Sequence, residues 1–285
     1  MTLVLSIAQA IGQSIWDMLR RLYQVAVNNP GYMVVLLCRM IAGMFGAREK
    51  GRRASDVADT LWRIASKSGR AIARGLLLAV GVGIAAGLGL GQLGNGLGAI
   101  TRPIVNASLM HIIIGTALPI VLALVVVARH GATLAAKFSI ALAKPGSPQR
   151  FDNRDLPGLM IPYIVAGVIS TAAFYFVAMT LALGGYLLEG NVQQLAALGA
   201  GAAVTYILDT VNGYMHIEGL VDAMNRGFLL SMLFGGVSAF VGIAIGAQAA
   251  EQRLDLTDEM YELHDAVWES STTSIILCLL IAYIV

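Results

Sequence analysis

Glu218 and Asp222 stand four apart in the stretch HIEGLVDAMNRG, so on a helix they share one face, as a metal-binding carboxylate pair would. A membrane enzyme acting on a lipid-linked substrate through these two acids is one reading. No second carboxylate motif accompanies them, and the acidic run over residues 189–226 is equally a solvated or partner-facing surface. His111, His130, His216 and His264 lie in four separate segments, and single imidazoles are more often packed or solvated than metal-bound. Cys38 and Cys278 sit in distant apolar runs, so neither a disulfide framework nor a metal site is expected. The sequence contains no GxxxxGK[ST] loop, HExxH pair, CxxC pair or GxSxG elbow. Any energy source is therefore expected in another chain, and no cofactor in this one. Arg102 and Arg226 are set apart from the other basic residues, and a cation at the edge of a bilayer attracts lipid phosphate.

The elements that must position these groups are membrane spans. Of 285 residues, 57% are hydrophobic and only 13% charged, with a mean hydropathy of +0.75. Soluble domains carry about a quarter charged residues, so the composition excludes both a disordered chain and an ordinary cytosolic enzyme. The 19 basic and 17 acidic residues leave a net charge of +2, too balanced for a nucleic-acid partner. An all-α integral membrane protein is expected, with spans at about 71–93, 105–128, 159–188, 227–248 and 268–285. Before them, residues 1–70 form interfacial segments. Val4, Ile7, Ile11, Ile15, Met18, Leu19 and Leu22 recur at amphipathic helical spacing. Residues 31–47 are apolar but short and carry Arg39 mid-segment, which favours an interfacial or re-entrant position. A charged elbow then leads into the first span.

With the N-terminus inside, seventeen Lys and Arg residues face inward and two, Arg102 and Arg226, face outward. That bias predicts a cytoplasmic N-terminus, an odd number of spans and a periplasmic C-terminus. In the first span Gly81, Gly83, Gly87, Gly89 and Gly91 recur at spacings that let helix backbones approach closely, within the subunit or across a dimer.

Residues 115–137, GTALPIVLALVVVARHGATLAAK, resemble the second-helix signature of the Mla/Mce-associated lipid ABC permease family: ELGP, an Ala-Leu-Leu stretch, then AGRxGSAxAAE. In one ungapped register Pro119, Ala123, Leu124, Arg129, Gly131, Ala135 and Ala136 fall on the pattern. Weaker echoes follow in LALGGYLL, in NRGFLLSMLFGGVSAFVGIAIGAQ and in WESSTTSIILCLLIAYIV, and the elbow is similar to the family's interfacial helix. The likeness runs from about residue 55 to 285, making residues 71–285 an MlaE-like permease domain of a divergent member. Thr116, Lys137 and Glu269 replace a Glu, a Glu and an Arg of the pattern.

The resemblance implies a permease subunit of a lipid ABC transporter in a bacterial inner membrane. Two copies would pair, P-loop ATPase subunits carrying ATP and Mg would dock from the cytoplasm, and an Mce-domain protein would sit on the periplasmic face. The family scheme also has room for a small STAS-type cytoplasmic subunit. Docking is expected at the loop over 139–158, which lacks the family's Glu-Gln pair but presents Lys144, Arg150, Asp152, Arg154 and Asp155 between chain-stiffening prolines. Arg129, at the inner end of the expected second span, is read as snorkelling to headgroups or capping carbonyls. Arg226 matches a basic family position and is the expected phosphate contact. Leu77, Val80, Ile84, Leu88, Ile112, Thr116, Leu277 and Ile281 would wall the lipid path.

Overall fold

The computed structural model describes residues 13, 29–46, 54–95, 111–142, 156–197, 202, 205, 209, 219–252 and 259–285. Among them there is no strand, and six helical stretches account for the bundle. These are α1 (Asn29–Gly46), α2 (Ala54–Asn95), a composite α3 (Ile113–Leu142), α4 (Leu156–Ala197), α5 (Leu220–Gln252) and α6 (Glu259–Ile284). Five contain stretches long and apolar enough to cross a bilayer: Asp59–Gly89, Ile113–Ile140, Gly158–Gly185, Leu220–Ala250 and His264–Ile284. The chain is a multi-pass, all-α membrane protein. The amphipathic periodicity of the first 28 residues falls outside the described residues, Gln13 excepted. So do Arg102, Glu218 and the docking-loop residues Lys144, Arg150, Asp152, Arg154 and Asp155.

Three spans differ clearly in extent from the sequence reading, the fourth by beginning seven residues earlier, at Leu220. The elbow and the first span are one unbroken 42-residue helix, α2, about 63 Å long at 1.5 Å per residue. That is roughly twice a bilayer's hydrocarbon thickness. The second span runs on past residue 128 to Ile140, because small residues beyond Arg129 let α3 stay packed against α5. A Cβ on Gly242 would strike the Gly131 backbone, and one on Gly246 would lie 2.5 Å from the Ala135 carbonyl. Residues 29–46 form a helix whose apolar part, Asn29–Ala42, is short of a span; Met33 and Leu36 bury against Phe138, Met160 and Val241.

α3 holds the bundle together. It contributes to all three apolar clusters, through Ile114, Leu118 and Val126 with α2 and α4, through Leu134 and Phe138 with α1, α4 and α5, and through Ala123 and Val127 with α5 and α6. It is also the irregular helix, with π-helical turns at Ile113–Ala117 and Ala123–Val127. In the first, the Leu118 amide donates five residues back to the Ile113 carbonyl. Pro119, next in line, has no N–H, so the Ile114 carbonyl is left without a backbone donor in that register. Tyr175 of α4 supplies one: its hydroxyl lies 3.1 Å from the Ile114 oxygen and 3.3 Å from that of Met224 on α5, and the proton is shared between them. At the second π turn the buried Ser238 hydroxyl donates to the Val127 carbonyl at 2.7 Å. The chain enters α5 through Gly219, whose φ of 83° lies in the left-handed region that a side chain disfavours, with His111 packed against it.

The glycines of α2 pack within the subunit. α2 and α4 make the most extensive helix contact in the protein. A Cβ on Gly83 would come within 2.7 Å of the Ala178 carbonyl and 2.8 Å of its Cα, and one on Gly87 within 3.0 Å of Gly185. Gly81, two residues away, faces open space. Gly83→Leu is therefore expected to separate α2 from α4 and to lower the unfolding free energy by about 1–3 kcal/mol, read as an earlier midpoint of detergent-induced unfolding. Gly81→Ala is expected to be neutral or slightly stabilising. Equal midpoints for wild type and Gly83→Leu would contradict this packing.

Candidate functional site

Two basic faces converge where α2 meets α3. On α2, Lys67, Arg70 and Arg74 are spaced three and four apart; on α3, Arg129, Thr133 and Lys137 are each four apart. Both spacings put their groups on one side of a helix. With Tyr163, Ala166 and Phe174 of α4 they enclose a cavity of about 370 Å³, within the size range of small-molecule sites, about 300–1,000 Å³. Leu78, Val126 and Leu134 complete the wall with apolar surface. Gly75 makes the fit possible, since a Cβ there would lie inside the Phe174 ring's contact distance.

Tyr163 organises the cations. The Lys67 ammonium lies 3.7 Å from its ring centroid and that of Lys137 5.3 Å, both within cation–π range. The ring is itself fixed edge-on against Phe138 at 5.1 Å. Arg70 is held by its own helix, donating from Nε to the Ser66 carbonyl at 3.2 Å and from Nη2 to the Ser66 hydroxyl at 3.0 Å. Thr133 turns its hydroxyl back to the Arg129 carbonyl at 2.8 Å. His130 also lines the cavity, and its Nε2 is buried with no hydrogen-bond partner in the structure. Among the described lining residues there are five cations and no carboxylate. The Arg63–Asp59 pair, 2.8 Å apart, is exposed one turn earlier on α2 and is not part of the cavity. Such an arrangement holds and orients an anion.

Of the residues singled out in the sequence, Arg129 is in this cavity, inside an apolar helix rather than at its end. Pro119 is the residue that frees the Ile114 carbonyl, and Gly131 forms the crossing with Gly242. The expected path residues lie elsewhere. Leu77, Ile84 and Leu88 point outward from α2, Leu77 being 82% exposed, about a quarter-turn round the helix from the Gly83 and Gly87 contact. Val80 is half-buried, Ile112 is exposed and Thr116 half-buried on α3. Leu277 packs on the cluster around Val241 and Ile281 on that around Phe234. Arg226 and Asp222 are exposed in the first two turns of α5. None of these groups lines the cavity between α2, α3 and α4.

The sequence reading did not single out Lys67, Arg70, Arg74, His130, Lys137 or Tyr163 as a site. A signal was present: three cations at helical spacing in SKSGRAIAR and two more, eight apart, in ARHGATLAAK. Each set reads alone as headgroup-facing charge at a span end, and only the α2–α3 packing brings them together. No protein-family model and no curated protein matches this chain.

Proposed function

We propose that this chain is the permease subunit of an ABC transporter that moves phospholipid, or a similarly apolar molecule, between a bacterial inner membrane and an Mce-type periplasmic tunnel. The observation that carries this reading is the use made of the three signature positions of the second span. Pro119 opens a backbone acceptor to Tyr175, Arg129 lines a cavity and Gly131 permits the closest crossing with α5, so the residues behind the resemblance are those on which this span's packing turns. The outward apolar face of α2, with Leu77, Ile84 and Leu88, supports pairing of two copies: one chain of five spans leaves these path residues uncovered, and a second would close a lipid-sized space over them. Arg226, exposed at the start of α5, is then the phosphate contact on the outer side. ATP and Mg belong to P-loop ATPase partners docking at the loop over 139–158, with an Mce-domain protein outside and room for a small STAS-type subunit inside.

Two measurements test this. Reversing the charges of Arg150, Asp152 and Arg154 together is expected to reduce the ATPase recovered with the full-length protein roughly tenfold, with the amount inserted in the membrane unchanged. Unchanged recovery and unchanged ATP turnover would return the loop to a solvated turn. For orientation, a reporter fused after Val285 is expected to read as periplasmic and one inserted at Ser147 as cytoplasmic. The same side for both would exclude the five-span arrangement.

A further inference from the structure

We propose that the cavity between α2, α3 and α4 is a binding site for a phosphate group carrying net negative charge, whether it belongs to an anionic lipid headgroup or to a free phosphate. The binding site does not depend on the permease reading, because it is built from this chain's own helices.

Charge comes first. Arg74, Arg129 and Lys137 converge with Lys67 and Arg70 on one open cavity, and no described carboxylate lines it. Two ammoniums, those of Lys67 and Lys137, are held to a single aromatic ring, and an anion close to both would offset the repulsion between them. The Tyr163 ring stabilises each one but neutralises neither. Hydrogen bonding points the same way. The guanidinium of Arg74 makes no hydrogen bond or ion pair with another described residue that would compete with a phosphate oxygen. Helix-borne guanidinium and ammonium groups around a pocket between spans are the chemistry that recognises anionic headgroups.

Size and placement then favour the lipid among the two sources. A volume of about 370 Å³ takes a phosphate with a small polar substituent. All five cations belong to the two helices that carry the apolar stretches Asp59–Gly89 and Ile113–Ile140, which brings the cavity close to the bilayer. The exposed apolar side chains Leu76 and Leu77 adjoin the basic stretch of α2 and give acyl chains a surface outside the cavity. A zwitterionic headgroup is disfavoured, since its quaternary ammonium would meet five cations.

The test uses the full-length protein in neutral detergent, titrated with phosphatidylglycerol, phosphatidylcholine or inorganic phosphate alone, with adducts counted by native mass spectrometry. One phosphatidylglycerol is expected to bind about tenfold more tightly than phosphatidylcholine. Arg74→Gln with Lys137→Gln is expected to weaken that binding about tenfold, while Arg74→Lys with Lys137→Arg retains it. Inorganic phosphate that displaces the lipid at comparable concentration would assign the site to a soluble phosphate; displacement only at far higher concentration assigns it to the headgroup. Equal affinity for the two lipids in wild type, no binding of lipid or phosphate, or undiminished phosphatidylglycerol binding in a glutamine variant with the wild-type unfolding midpoint would each overturn the site. None of these results bears on recovery of an ATPase, so the permease reading stands or falls separately.

Discussion

In a hydrocarbon solvent a backbone carbonyl without a donor costs several kcal/mol, and the carbonyl of Ile114 is such a group. Much of the bundle's geometry can be traced to the way it is satisfied. Pro119 removes the donor, the π turn shifts the register, and the Tyr175 hydroxyl arrives from α4. Because the same hydroxyl also reaches Met224, three helices are fixed to one another at a single point. Gly227 must then be glycine, since a Cβ there would strike both the Tyr175 hydroxyl and the Ile114 oxygen.

Away from that point the helices hold by close approach rather than by hydrophobic exclusion, which has little force between apolar surfaces already in lipid. Gly167 meets Gly235 between α4 and α5, Gly131 meets Gly242 between α3 and α5, and Gly87 meets Gly185 between α2 and α4. Where backbones come this near, hydroxyls replace bulk. Ser238 serves Val127, and the buried Thr171 hydroxyl turns back on the Gly167 carbonyl at 2.9 Å.

The sequence made the helical class and the number of spans legible, because uncharged stretches such as residues 158–185 have no stable alternative to a membrane helix. It also pointed to the glycines of α2 as packing positions, although Gly83 and Gly81 look alike in sequence and only one of them touches α4. Span ends were less legible. Arg129 marks an end by hydropathy, yet the small residues after it carry the helix on to Leu142. The cavity was illegible for a different reason: Lys67 and Lys137 are seventy residues apart, and nothing local to either declares that both will sit over Tyr163. Lys137, noticed only as a departure from a family pattern, is one of the groups that gives the cavity its sign.

The contact between α2 and α4 has a mechanical consequence. Two 42-residue helices pressed together at Gly75, Gly83 and Gly87 hold each other in register along that contact, with Pro162 interrupting the backbone hydrogen bonds of α4 beside the cavity. α3, the third wall of the cavity, is instead jointed at two π turns, where hydrogen bonds already run in a longer register and deformation is cheapest. The basic cavity thus lies between a glycine-packed helix pair, which carries Lys67 and Arg74, and the irregular α3, which carries Arg129 and Lys137.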